Sequence, residues 1–515
     1  MLACTTPALA QSASPPVPDT AQILARYGAA LSRGAQPPER IESWGTLSGA
    51  LLHGSVHLWH DGENERTEEN LGARIDRSLQ LGARRFIQNS SGNVIELHGT
   101  LLARAVTQDF IGSTALIEHP EYATLLGRAT LEDGRDVYRL RVQPPGGDAE
   151  TIAIDARTWL LDRLEYIEGD GPFTIDFSDY RPVAGYLFAF KQVQSDGTHM
   201  FDITQTLTGV KPGAKMPPGI FAPFVPAKLI AKQPVSVPIK EISGGIYTDV
   251  VIHGQTFSFL IDSGAQGIVL DTRTAARLAL IPEGSFEARG VARTAGIGVT
   301  SLDKLHIGTA TLPVGTASIL DLASSTAGRF PIDGILGFPL FGASEVRIAV
   351  AHHSMTLGPP GSLPAAGTKF PIDVDRELPE VQARVNGIDG KFLVDTGNGN
   401  ELLLFHPFVE ANRGVIPQTL HAAMPSFGIG GSTRAYAVTI DELDLGGYRL
   451  FHRYANVILS SEGAFADRID AGNIGLAVLR NFVFTIDAFN DALYLERGDE
   501  YDDGSHRSDI PVRIP

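Results

Sequence analysis

The chain has 515 residues, a formal net charge of −17, 43% hydrophobic and 20% charged residues. That is the balance of folded protein and excludes wholesale disorder, while the acidic excess leaves no basic face for a nucleic-acid backbone, so no nucleic-acid partner is expected. No apolar run approaches the ~20 residues that a bilayer-spanning helix needs, so the chain is not expected to be integral to a membrane.

From the N-terminus, residues 1–14 contain Ala8-Leu9-Ala10 ahead of Gln11, an A-x-A cleavage signal without the basic start and full apolar core of a secretory peptide. They are expected to be a signal-peptide remnant or a flexible N-terminus, and the protein to be exported, to a periplasm. The single cysteine, Cys4, lies in this segment; cleavage would leave no disulfide, thiol nucleophile or Cys-based metal site. Asp19 followed by Ile23, Leu24, Tyr27 and Leu31, then Gly34, predicts one capped amphipathic helix. From about Ser43 to Val210 the pattern becomes β: short apolar or aromatic segments such as 151–154, 174–177 and 186–193, separated by turn clusters at 144–147, 169–171 and 195–197. This predicts an antiparallel meander with at least one helix. Residues 211–238 then carry seven prolines, a stiff boundary.

The rest of the chain repeats itself. Phe259-Leu260-Ile261-Asp262-Ser263-Gly264 is echoed 133 residues later by Phe392-Leu393-Val394-Asp395-Thr396-Gly397. Each copy follows a turn (His253-Gly254, Asn386-Gly387), precedes a helix-like stretch (272–280, 405–412) and then a glycine-rich one (290–298, 427–431). Further on come Ile335-Leu336-Gly337 and Asn473-Ile474-Gly475, and closing strands at 346–350 and 482–486. Two related units are thus expected. The domain reading is 19–225 for an N-terminal β-rich accessory domain, 226–238 for a Pro-rich linker, 239–358 and 368–500 for two lobes joined by 359–367, and 501–515 for a tail.

A lone Asp-Ser/Thr-Gly triplet arises by chance about half a time in a chain of this size, and three preceding apolar residues lower that to roughly a few hundredths. Two copies in equivalent settings are specific. The pattern resembles the aspartic peptidases, and in lobe size the bilobal retropepsin-like bacterial members. Asp262-Ser263-Gly264-Ala265 is similar to the retroviral-type signature, and Ile335-Leu336-Gly337 to the element behind its active-site loop. The resemblance covers about residues 235–497. It implies a mainly β fold: two tandem retropepsin-like β-barrel lobes forming a pepsin-like bilobal unit. The meander that precedes them loosely resembles the half-barrel of bacterial lipoprotein carriers of the LolA/LolB type.

Residue chemistry leads to the same place. Amide hydrolysis without a metal or a covalent intermediate needs a base for water and an acid for the carbonyl, and two carboxyls held close share one proton and supply both. Asp262 and Asp395 are the expected catalytic pair, with the holder of the proton left open. Ser263 and Thr396 offer hydroxyls that, by the resemblance, lock the loops together; Gly264 and Gly397 let backbone N–H groups approach the carboxylates. Two departures stand in the second copy: Asn398 where the signature has Ala, and Asn473 where the supporting element is usually apolar. Asn398 is therefore either an extra hydrogen-bond partner or the mark of an altered lobe. His53, His57 and His60 are expected on a surface strand, with no metal and no cofactor. The acidic run at 499–503 is expected to be a solvated tail. The function expected is an aspartic endopeptidase acting on protein or peptide substrates at acidic to mildly acidic pH. The alternatives are an inactive relative that binds peptides in the same cleft and a periplasmic lipid or lipoprotein carrier working through the N-terminal domain.

Overall fold

The computed structural model describes residues 18–49, 52–169, 171–197, 199, 202–289, 294–325, 332–374, 376–414, 416, 424–428, 431–458 and 463–507. The segment 1–14 lies outside them. Among the described residues the strands form three sheets.

The first helix, Thr20–Ser32, starts where a capping box allows it: the Asp19 side chain accepts from the backbone N–H of Gln22 at 2.8 Å, and the Gln22 side chain accepts from that of Asp19 at 3.3 Å. Its buried residues, Ile23, Leu24, Tyr27 and Leu31, fall on one face. It packs on a thirteen-stranded antiparallel sheet in which the first strand, Arg40–Gly49, pairs with the last, Ile203–Pro212, in the middle. The chain leaves one edge at Val94–Glu96 and re-enters at the other edge at Ala123–Thr130, crossing through the helices Gly99–Gly112 and Ala115–Glu118. Those helices and Thr20–Ser32 share one apolar core with the sheet: Ile111 and Leu116 meet Tyr138, Leu140, Ile152 and Leu164. His57 and His60 sit on the strand Leu52–Asp61, where His57 pairs with Glu42 at 3.1 Å and His60 with Glu65 at 3.2 Å.

Residues 226–238 run along the first lobe. The N–H of Leu229 donates to the carbonyl of Ala343 at 2.7 Å, and Val235–Pro238 forms an edge strand against Ser354–Gly358. An edge is where a sheet tolerates proline, which has no N–H to give.

The sequence repeat is a repeat in space. In the first lobe the strand Gln255–Ile261 runs parallel to Gly334–Leu336; in the second, Ile388–Asp395 runs parallel to Gly472–Gly475. Each Asp-Ser/Thr-Gly loop therefore leaves a strand clamped between neighbours inside its lobe. Every second side chain of these strands faces the core: Phe257, Phe259 and Ile261 in one, Phe392 and Val394 in the other, all buried. Between the lobes, six strands hydrogen-bond in the order Val235–Pro238, Ser354–Gly358, Glu345–Ala349, Phe482–Asp487, Ala492–Arg497 and Thr368–Asp373. The junction is the antiparallel pair Glu345–Ala349 with Phe482–Asp487, so one apolar core runs through both lobes.

The N-terminal sheet packs on the first lobe through Leu47, Leu52, Val56, Leu71 and Ala73, which meet Val299. Of the acidic run read as a solvated tail, Asp502 and Asp503 are held to the second lobe by their backbones. The Asp503 carbonyl accepts from the Phe451 N–H at 2.6 Å, and the Asp502 carbonyl from the guanidinium of the fully buried Arg453. A buried guanidinium needs acceptors, and the chain end supplies one.

Candidate active site

The loops that follow the two clamped strands meet at the junction of the lobes. Their hydroxyl residues, Ser263 and Thr396, are fully buried and bonded reciprocally. The Ser263 N–H donates to Thr396 Oγ1 and the Thr396 N–H to Ser263 Oγ, each at 3.0 Å. Each hydroxyl then donates onward to a carbonyl of the opposite lobe, Ser263 Oγ to Val394 at 2.5 Å and Thr396 Oγ1 to Ile261 at 2.9 Å. Four bonds with no solvent access tie the loops, and every donor and acceptor in them has its partner.

Inside this lock the loop glycines approach the opposite carboxyls. A Cβ at Gly264 would lie 2.7 Å from Cγ of Asp395, and one at Gly397 would fall closer still to the carboxyl of Asp262. Neither glycine has a positive φ, so what the positions demand is space. The result is that the carboxyls of Asp262 and Asp395 are brought close enough to act on each other. Burial raises the proton affinity of both; the charge of Asp395 raises Asp262 further, whereas the backbone N–H groups of Asn398 and Gly397 hold Asp395 back. The phenol of Tyr247, buried on Gly245–Ile252, faces Asp262 and is itself raised, by burial first and by the Asp262 charge second.

The elements behind the loops play matching parts. The Phe338 N–H donates to the Ala265 carbonyl and the Leu476 N–H to that of Asn398, both at 2.7 Å. The two glycine-rich stretches differ in what is described: 294–298 lies in the strand Thr294–Ile307, which pairs with Gly284–Arg289, and 427–428 with 431 in the hairpin of Met424–Gly428 with Gly431–Leu445. Residues 290–293 and 429–430 lie outside the described residues.

All seven residues singled out in the two loops, Asp262, Ser263, Gly264, Asp395, Thr396, Gly397 and Asn398, come together here. Sequence reasoning missed Tyr247, which no motif marks, and the bond from Gln266 Nε2 to the Arg376 carbonyl at 2.8 Å, a second tie between the first loop and lobe two. Arg376 sits in a buried ionic group with Glu380, Asp467 and Asp470, and Glu380 also binds Lys391. An Arg within four residues of a Glu at the end of a strand was the available sign, and it is a weak one.

A set of groups that could take a cation is formed by Asp502, Asp503 and His506, whose ligand atoms lie within 4.8 Å of one another. Asp502 there already pairs with Arg507 at 2.8 Å. Among the described residues no helix is long and apolar enough to cross a membrane.

No curated protein matches the chain. Over its N-terminal part it is similar to a putative outer membrane lipoprotein-sorting protein domain from Vibrio parahaemolyticus, at 12% identity over 39% of this chain and 95% of that one, TM-score 0.27. It is also similar there to a LolA superfamily protein from Nitrosomonas europaea, at 12% identity over 40% and 99%, TM-score 0.29. A retropepsin-like aspartic protease from Rickettsia conorii matches at 22% identity over 25% of this chain and 88% of that one, TM-score 0.20. Residues 248–340, the stretch that carries Asp262-Ser263-Gly264 and Ile335-Leu336-Gly337, match the family model described as aspartyl protease, and over them the chain is similar to that family.

Proposed function

We propose that the protein is an aspartic endopeptidase in which Asp262 and Asp395 activate a water molecule against a peptide carbonyl. The observation that carries this reading is the packing of each carboxyl against the opposite loop's glycine, held by a buried, reciprocal lock of the two loops. Two carboxyls so close share one proton, because both cannot ionise at that separation. The ionised one takes a proton from water and the protonated one gives its proton to the carbonyl oxygen, so acid and base are supplied at neutral or lower pH. The reaction as written draws on the two carboxyls and water alone. The substrate is a protein or peptide laid extended between the lobes. Export to a periplasm belongs to the same proposal and rests on the Ala8-Leu9-Ala10 segment.

The test is cleavage of a denatured protein mixture between pH 3 and pH 7 by wild type, Asp262→Asn and Asp395→Asn. Cleavage by wild type that both variants lose is the expected result. Activity that survives either substitution, or folded wild type that cleaves nothing across the range, would sink the reading.

A further inference from the structure

The two loops are built alike but their carboxyls are not solvated alike. Among the described residues Asp262 accepts one N–H, from Gly264 at 2.9 Å. Asp395 accepts three: Gly397 N–H at 2.9 Å and Asn398 N–H at 3.0 Å on Oδ1, and Asn473 Nδ2 at 2.7 Å on Oδ2. The last of these has no counterpart in lobe one. The strand pairings set Asn473 opposite Leu393 and Ile335 opposite Leu260, so Ile335 is the residue in Asn473's place, as Ala265 is in that of Asn398.

An amide side chain can be turned end for end, so which end of Asn473 meets the carboxyl needs an anchor. The structure contains one. Asn398 Oδ1 accepts the backbone N–H of Asn400 at 3.0 Å, and a backbone N–H donates whatever else changes. With its oxygen so engaged, Asn398 presents Nδ2 to its neighbour, and Asn473 answers with Oδ1 at 2.6 Å. Asn473 then has its NH₂ left for Asp395 Oδ2. The polarity of the relay is set at the main chain and ends in a donor. A donor facing Oδ2, with two more on Oδ1, favours the carboxylate form of Asp395 over the acid.

We propose that the Asn400–Asn398–Asn473 relay places the shared proton on Asp262 and keeps Asp395 ionised, making Asn473 and Asn398 positioning residues that divide the labour of the pair. The inference rests on the peptidase reading for its chemical meaning. Asp395 is then the base and Asp262 the acid. Water attacks the carbonyl carbon as Asp395 takes its proton and Asp262 protonates the carbonyl oxygen. In the second step the C–N bond breaks, the proton on Asp395 goes to the leaving nitrogen, and a hydroxyl of the tetrahedral diol returns its proton to Asp262. The products are one acid and one amine, and the pair ends as it began. Among the described residues the titratable groups that face the pair are the two carboxyls themselves and Tyr247, whose phenol burial holds in the protonated form throughout this range.

The experiment replaces each relay residue with its lobe-one counterpart, Asn473→Ile and Asn398→Ala, singly and together, and records the pH profile of kcat/KM beside the melting curve. Loss of the donor raises the first ionisation of the pair and leaves the second nearly where it was, since Asp395 is charged on both sides of the second. The acid limb should therefore move up by about one pH unit in Asn473→Ile, by less in Asn398→Ala, with the alkaline limb in place. A merely structural role would lower activity or melting temperature without moving the limb. An unmoved acid limb in folded variants overturns the inference while cleavage itself leaves the peptidase reading standing. A second readout needs no activity and no substitution in the relay: carboxyl-¹³C aspartate labelling of the full chain, with the Asp395 resonance found as the line missing from Asp395→Asn. In wild type at pH 7, between the two ionisations of the pair, that line should have the ionised shift and the Asp262 line the protonated one; the reverse overturns the inference, whether or not the protein cleaves.

Discussion

The loops at 262–267 and 395–400 perform the same step of the same topology, yet one is backed by Ala265 and Ile335 and the other by Asn398 and Asn473. In lobe one the support is apolar packing; in lobe two it is a hydrogen-bond relay that reaches the carboxyl. A symmetric dimer of one lobe would have to use a single sequence for both loops. Two copies in one chain are free to diverge, and here the divergence includes what stands behind the aspartates, while the lock between Ser263 and Thr396 keeps its symmetry. The difference teaches that the geometry of the pair and its protonation are set by separate residues and can be altered separately.

The largest effect should come from erasing the pair: Asp262→Asn and Asp395→Asn are each expected to lower kcat/KM by about 10³-fold or more, and the double variant by little beyond either single one, since the two act as a unit. Cleavage kinetics on one defined peptide check this. Gly397→Ala should follow, forcing a methyl group onto the Asp262 carboxyl at a cost on the order of 3 kcal/mol, read in urea unfolding. Gly264→Ala is the matching test from the other side. Breaking the lock by Ser263→Ala or Thr396→Val leaves a buried N–H without its acceptor, for about 1–3 kcal/mol each. Because both halves of the lock hold the same two loops together, loss of one half loosens the other, and the double substitution should cost less than the two singles summed.

The last effect is read as a slope. Burial, and after it the charge of Asp395, hold Asp262 well above its unfolded value near 4, so between its unfolded and folded values the native state binds more protons than the unfolded chain. Stability contributed by this group is therefore present at low pH and lost as pH rises through the window. Asp262→Asn removes the group, so thermal melting should place the variant above wild type by more at pH 8 than at pH 4. A constant gap would mean that Asp262 ionises as freely in the fold as out of it.

Much of this was legible in the residues. The Asp19 cap and the spacing of Ile23, Leu24, Tyr27 and Leu31 drew the first helix, because capping and a 3.6-residue period are local. The duplicated apolar strand before each aspartate marked the site, since a loop that must be rigid needs a buried strand to leave from. Asn398 and Asn473 stood out in the sequence as departures, but 75 residues separate them and nothing along the chain says that they touch. Nor could the alternation of apolar residues show that Val235–Pro238 is an edge strand, or that the carbonyls of Asp502 and Asp503 serve the second lobe. An acidic run is soluble by composition, and only a partner such as buried Arg453 gives it a place.

What the sequence determined by itself was therefore the chemistry available: one aspartate, one hydroxyl and one glycine, each present in duplicate, all consequences of residue type and near neighbours. What the tertiary structure decided was how that chemistry is shared. The energy of a carboxyl depends on which N–H groups point at it within about 3 Å, and those groups come from strands far apart in the chain whose register is fixed only when the lobes have packed.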